Sequence, residues 1–323
     1  MKDKKQNTII HIGMPKAAST SLQQNFFSRL PLINYVGLGS DNTALKKALK
    51  RIIFEKDLYY RESEIKNVFE TSFKKNLPIV LSHENVCMPI LKQFTKIPQE
   101  RETIANRFKA IYPDAKILII IRNQFNIHQS MYVQKLKGER NNIPIKKISF
   151  NKWINWNINL HENGQDNIFR FAEYDSIISL YKSLFREVKV VIFEEMIKDM
   201  QSFVSDELCT FIQVDSEKAM KHYFDTKKNS RRSKASIMTE EGIRITLNFF
   251  RDKLGNPQKN ISIEKRKTIM KRIHRITHLI PFGKIDTTYS ENEKKFLETY
   301  YKAGNRKVSE QIGIDLGKYG YPI

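Results

Sequence analysis

Two segments carry side chains suited to gripping an anion. Residues 8–24 read TIIHIGMPKAASTSLQQ: an apolar run, Gly13, then Pro15, Lys16, Ala17 and Ala18, and three hydroxyls on Ser19, Thr20 and Ser21. Residues 116–132 read KILIIIRNQFNIHQSMY: a second apolar run, Arg122 at its end, then Ser130 and Tyr132. Each reads as strand, polar turn, helix. A helix that starts at the carboxyl end of a strand presents unpaired N–H groups and the positive end of its dipole, a ready setting for phosphate. Lys16 adds a full charge, and the serine and threonine hydroxyls add donors that can also cap the helix. Arg122 adds a planar cation able to hold phosphate through two bonds. Two such turns in one chain point to a nucleotide that carries phosphate at two places.

The elements around these turns follow from the hydrophobic pattern. Short apolar runs at 8–13, 78–82, 116–121, 168–172 and 188–193 read as parallel strands buried on both faces. Helical spacing separates them over 20–30, 97–112 and 124–137, with Leu22, Phe26, Phe27 and Leu30 on one face of the first and Ile127, Met131 and Leu136 as apolar contacts in the last. Strands alternating with helices predict an α/β fold, a parallel sheet flanked by helices, with a largely helical C-terminal portion over 195–213, 237–253, 261–276 and 291–312. The polar, basic stretch 225–234 reads as a loop. No repeat or low-complexity linker divides the chain, so a single domain over 1–323 is expected, with the core sheet over about 7–215 and the basic loop and C-terminal helices over about 216–323.

The 323 residues carry 56 Lys and Arg against 35 Asp and Glu, a formal charge of +21. About half of the excess lies in 221–290, where 17 basic residues meet 6 acidic ones. Such a surface attracts polyanions of many kinds, so charge alone does not separate nucleic acid from nucleotide. A hydrophobic fraction of 40% is enough for a core. No apolar run has transmembrane length, and the start, which passes straight into a short strand, lacks the form of a signal peptide. A cytoplasmic protein is expected. Cys87 and Cys209 read as unbridged thiols, and no cluster of Cys and His has zinc spacing.

The first turn is not a Walker A loop, which needs lysine directly before Ser or Thr and five positions after its first glycine. Here Lys16 stands three after Gly13, and Ala17 and Ala18 separate it from Ser19. The turn resembles the phosphosulfate-binding loop of sulfotransferases that use 3′-phosphoadenylyl sulfate (PAPS), matching at Gly13, Pro15, Lys16, Thr20, Ser21, Leu22 and Gln23. It departs at Ala18, where that family usually has glycine, and at Ser19, often threonine. Alanine fits only if its φ is negative, so this loop is expected not to be left-handed there. The second segment is similar to the family's other motif, Arg-Asn-x followed by Ser-x-Tyr. The resemblance implies that Arg122 and Ser130 bind the nucleotide's 3′-phosphate. Residues 188–196, VKVVIFEEM, resemble the family's late strand and acidic helix start. The basic run 227–234, with Ser230 and Arg231, resembles a loop that closes over the nucleotide. Asn305-Arg306 and Gly320-Tyr321-Pro322 look like the ending of bacterial members.

The resemblance implies a P-loop-like sheet and sulfuryl transfer from PAPS to an acceptor hydroxyl, with adenosine 3′,5′-bisphosphate as product and no metal. In it, Lys16 stabilises charge on the oxygen between phosphate and sulfate. The acceptor needs a base within reach of its proton. The run 78–82 ends in Ser82-His83-Glu84-Asn85 at the same rim; relatives place a carboxylate or a histidine there, so Glu84 is the first choice and His83 the second. Lys137, Arg140, Trp153, Trp156 and His161 offer aromatic faces beside basic groups. The two tryptophans stand one helical turn apart, which also fits core packing. A saccharide or another small acceptor is expected; the basic surface suits an anionic one, and a lipid-linked one would bring peripheral membrane contact. Two rivals remain: an ATP-dependent small-molecule kinase, which needs Mg²⁺ and an acidic ligand near the first turn, and a basic nucleic-acid-binding protein, for which no zinc finger, RNA-recognition signature or basic zipper speaks. No nucleic-acid partner is expected.

Overall fold

Residues 6–87, 99–136, 148–223 and 285–323 are described in a computed structural model. Five strands form one sheet in the order β2-β3-β1-β4-β5, all parallel. They are β1 (Thr8–Ile12), β2 (Asn34–Val36), β3 (Ile79–His83), β4 (Lys116–Ile121) and β5 (Glu187–Ile192). The all-apolar runs take the middle of the sheet. Every residue of β1 is buried, as are the last five of β4. Unrelieved branched aliphatics suit a strand covered on both faces. The edge strand β5 instead keeps charges: Lys189 pairs with Glu207 at 2.8 Å, and Glu187 with Lys116 of β4 at 3.2 Å. Charge on an edge discourages pairing with another chain.

Helices α1 (Ser19–Asn25), α2 (Thr43–Phe54), α3 (Glu62–Ser72), α4 (Arg101–Ile111), α5 (Gln124–Lys135), α6 (Phe150–Glu162) and α7 (Tyr174–Leu184) flank the sheet. A last helix, Glu291–Ile312, starts in a capping box between Ser290 and Glu293 and ends at the left-handed Gly313. It packs against α7 and α6 and delivers the final segment to the sheet rim. No helix among the described residues is long and apolar enough to cross a membrane.

The pattern reading did not place β2, α2, α3, α6 or α7, and three of the elements it did place differ in the structure. Residues Ile168–Ala172 form a 3₁₀ turn, not a strand. Asn157 accepts from the Ile168 N–H and Asn167 from that of Phe169, both at 3.0 Å, which fixes a helical start. The burial agrees: Ile168, Phe169, Phe171 and Ala172 are inside and Arg170 outside, a spacing alternation cannot produce. The expected helix over 195–213 is broken into Phe193–Met196, Met200–Ser202, a π-helical turn Phe203–Leu208 and Cys209–Ile212. Asp199 restarts the chain by accepting from Ser202 N at 2.9 Å. The expected helix 20–30 stops at Asn25 and finishes as a 3₁₀ turn, Phe27–Arg29. The expected loop 225–234 and helices 237–253 and 261–276 lie outside the described residues.

Candidate active site

Strands β1, β3 and β4 are neighbours, so the turns that leave them meet at one rim. Gly13 makes the approach possible. A Cβ built on it would stand 2.9 Å from the Cα of Glu84, closer than packed atoms allow, so the ends of β1 and β3 touch main chain to main chain. The chain then turns tightly. Met14 N–H donates to Ile12 O at 2.9 Å and Ala17 N–H to Met14 O at 3.4 Å. The loop closes when Ser19 Oγ donates to the same Met14 carbonyl at 2.9 Å. Ser19 is thus buried inside the loop, and its hydroxyl proton is engaged there rather than aimed outward.

Lys16 and Ala18 both adopt left-handed backbone, φ 62° and 58°. The expectation of a negative φ at Ala18 is therefore wrong. The loop keeps the left-handed turn for which glycine is the easy residue, and alanine bears the cost of its Cβ. Pro15 and Ala17 are buried, which leaves Lys16, Thr20 and Ser21 as the part-exposed polar side chains of the turn. No side chain caps the N-terminus of α1. Ser21 Oγ accepts from Asn25 Nδ2 at 3.2 Å.

From β4, Arg122 reaches the same place. Its Nη1 donates to the carbonyl of Lys16 at 2.5 Å, and its guanidinium lies 4.4 Å from the Phe193 ring centre. The Lys16 ammonium is held below the usual lysine range, first by burial and then by the Arg122 charge, with Glu84 working in the opposite direction. Thr20 Oγ1 donates to Glu84 Oε1 at 3.0 Å. Lys16, Arg122, Thr20 and Glu84 thus form one linked group, although they come from three separate stretches of sequence.

His83, the other candidate base, is held differently. Its Nδ1 accepts from Asn85 N–H at 3.1 Å, and its ring packs edge-on to Phe54 at 5.9 Å. Burial, assisted by Lys50, pushes its pKa down to about 4. Beneath the rim, fully buried His11 meets Ser82 Oγ through Nδ1 at 2.8 Å, and Gln23 Nε2 donates to the same oxygen at 2.7 Å. This network ties α1 to the end of β3.

The turn after β4 is held by residues far along the chain. The Tyr174 hydroxyl donates to Arg122 O at 2.5 Å and accepts from Arg122 N–H at 3.2 Å. Asn123 N–H donates to Glu194 Oε1 at 3.0 Å, and Tyr321 OH donates to the other oxygen of that carboxylate at 2.9 Å. Asn123 Nδ2 donates to Gly320 O at 2.5 Å, and its Oδ1 caps α5 by accepting from Asn126 N–H at 3.2 Å. Gln124 and Asn305 exchange side-chain bonds of 2.7 and 3.3 Å, and Asn305 Nδ2 also donates to Pro322 O at 2.8 Å. Nothing in the sequence pointed to Tyr174, and the segments that hold Glu194 and Tyr321 stood out only through the family resemblance, with no role at this turn.

Ser130 is half-buried on α5, about two turns beyond Arg122. The aromatic residues expected around the acceptor separate. Trp153 is fully buried against Tyr132 and Phe150, a core residue, while Trp156 on the same helix is exposed. His161 is exposed, its ring edge-on to Phe296 and Tyr300. Lys137, Arg140, Ser230 and Arg231 lie outside the described residues. Among those described, no three His, Cys, Asp or Glu side chains gather into a cluster.

No protein-family model and no curated protein sequence matches the chain, whereas eleven chains of solved structures do. One is the crystal structure of a sulfotransferase from Alicyclobacillus acidocaldarius. It is 15% identical, and the match covers 98% of this chain and 99% of that one with a TM-score of 0.54. At that identity the likeness is one of architecture. Over nearly its whole length, this chain shares the helix-flanked parallel α/β fold of that sulfotransferase.

Proposed function

We propose that this protein is a sulfotransferase that moves the sulfuryl group of PAPS to a hydroxyl of a saccharide or glycolipid. The observation that carries the reading is the joining of Lys16 and Arg122 at one rim, guanidinium against carbonyl at 2.5 Å, on adjacent strands. A nucleotide with phosphate at both the 3′ and 5′ positions needs two cationic sites side by side. The residues fit such a group: two cations, the part-exposed hydroxyl of Ser21, which accepts from Asn25 and keeps its own proton, and a first helical turn that no side chain caps. The sulfotransferase fold supports the same reading.

PAPS supplies an activated sulfuryl group, whose bond to the bridging oxygen breaks as the bond to the acceptor oxygen forms. Lys16 offsets the negative charge that gathers on the bridging oxygen. Arg122 and Ser130 hold the 3′-phosphate. Glu84 takes the acceptor proton, and its link to Thr20 keeps it beside the anion loop. His83 is the weaker base: its Nδ1 is tied to Asn85, and at a pKa of about 4 it has little affinity for a proton at neutral pH. The basic surface would draw in an anionic acceptor.

The test is incubation with sulfur-labelled PAPS and a panel of glycans and glycolipids, alongside calorimetric titration with adenosine 3′,5′-bisphosphate and with ATP-Mg²⁺. Label on a glycan and binding of the bisphosphate are expected. Tight binding of ATP-Mg²⁺ with no response to the bisphosphate would overturn the proposal in favour of a kinase.

A further inference from the structure

The second turn is built in an unusual way for the end of a central strand. Its consecutive residues Asn123 and Gln124 are each buried, at 4% and 0% exposure, and both take polar partners from the last helix and the segment behind it. Gly320 offers its carbonyl to Asn123. Tyr321 offers its hydroxyl to the Glu194 carboxylate that accepts from the Asn123 N–H. Pro322 offers its carbonyl to Asn305, which in turn grips Gln124. Three successive tail residues thus reach two successive turn residues. Gly320 is left-handed at φ 74°, and a Cβ there would stand 3.3 Å from Asn123 Nδ2, tighter than most packed side chains, so the tail passes close against the turn.

Apolar packing alone would hold the tail against the sheet. Hydrogen bonds are directional, and a fully satisfied buried network selects one orientation of the groups it joins. What this network orients is the peptide that carries Arg122. The Arg122 main chain is gripped by Tyr174, whose ring lies 6.4 Å from that of Tyr321.

We infer that Asn305 and Gly320–Pro322 are positioning residues for nucleotide binding, acting through the Asn123–Gln124 turn to aim Arg122. The inference rests on the nucleotide reading above. It makes the tail a determinant of donor affinity, although its bonds at this turn go to Asn123, Glu194 and Asn305 and not to Lys16 or Glu84.

The test compares wild type, Asn305→Ala, Tyr321→Phe and, as a control, Val308→Ala, a fully buried position on the same helix. Affinity for adenosine 3′,5′-bisphosphate is measured by calorimetry at a temperature where each variant is folded, and the melting temperature is measured separately. Loss of the outer partner that orients a metal ligand typically costs about tenfold or more in affinity, and by the same logic about tenfold weaker binding is expected for Asn305→Ala and Tyr321→Phe. Val308→Ala should lower the melting temperature and leave affinity unchanged. Tyr321→Phe keeps the ring and removes only the hydroxyl, so it reports on positioning even if Asn305→Ala folds poorly. Wild-type affinity in Tyr321→Phe, or equal weakening in Val308→Ala, overturns the inference alone. A wild-type protein that does not bind the bisphosphate overturns the nucleotide reading, and this inference with it.

Discussion

Arg122 lays its guanidinium against the carbonyl oxygen of Lys16 at 2.5 Å, although 106 residues separate the two. The contact turns two independent loops into one cationic rim, and the Arg122 charge helps to lower the pKa of Lys16. An ammonium held in this way is stabilised by an incoming anion, which is what charge developing on a leaving oxygen requires.

Lys16→Ala removes that charge. Loss of a preorganised donor at a developing charge typically costs about 10²–10³ in rate, so turnover at saturating PAPS should fall by that order while the fold persists. Transfer of labelled sulfate, with circular dichroism to check folding, measures both. A variant that transfers sulfate as fast as wild type removes Lys16 from the mechanism.

Arg122→Lys keeps one positive charge and loses the planar fork. A hydrogen bond to a charged group is worth roughly 1.5–3 kcal/mol, or about 10–100-fold in affinity. Titration calorimetry should show weaker binding of adenosine 3′,5′-bisphosphate by that factor.

Glu84→Gln and His83→Asn separate the two candidate bases. General-base catalysis contributes about 10²–10⁴, so Glu84→Gln should lower kcat by that order. His83→Asn should leave kcat within about tenfold of wild type, because a histidine at a pKa of about 4 has little basicity to lose. The opposite ranking would reassign the base to His83.

Ala18→Gly should stabilise the protein. The left-handed backbone at φ 58° costs a side-chain-bearing residue about 1–2 kcal/mol, and part of that is offset by glycine's greater freedom when unfolded. A net gain of about 0.5–1 kcal/mol in urea unfolding is expected.

Acid should unfold the protein through its buried histidines. Burial lowers His11 to about 4 and His128 to about 3, both below the ordinary 6.5. The unfolded chain therefore binds protons that the fold refuses. The stabilisation from keeping these rings neutral is fully present above about pH 6.5 and is lost as pH falls toward 4 and then 3. Urea midpoints measured across that range should drop steadily, and His11→Gln should lessen the slope between pH 6.5 and 4.

The central strands were legible because short runs of β-branched residues such as Ile117–Ile121, each followed by a polar turn, suit the middle of a parallel sheet. The last helix was legible from end to end, 291–312 in both readings, and the structure adds the capping box of Ser290 and Glu293 at its start. Strand β2 was not, since three residues, Asn34–Val36, carry too little pattern, and it forms because β3 offers it a ladder. Ile168–Ala172 misled through composition: five mostly apolar residues suit a strand until Asn157 and Asn167 bond their N–H groups. At the site, both cationic turns were visible and were read together as serving one nucleotide. Their contact, and the support of Arg122 by Tyr174, Glu194, Asn305 and Tyr321, depends on chain crossings that local spacing does not encode. Ala18 shows the reverse error: residue preference argued against a left-handed bend, and the demands of the loop prevailed.

Gly13 leaves no room for even one methyl group between β1 and Glu84. The gap between the two halves of the proposed chemistry is accordingly measured out by bare backbone, like a fixed jig, and not by flexible arms that could readjust. Under the proposed chemistry, this places the choice of acceptor on segments outside the jig.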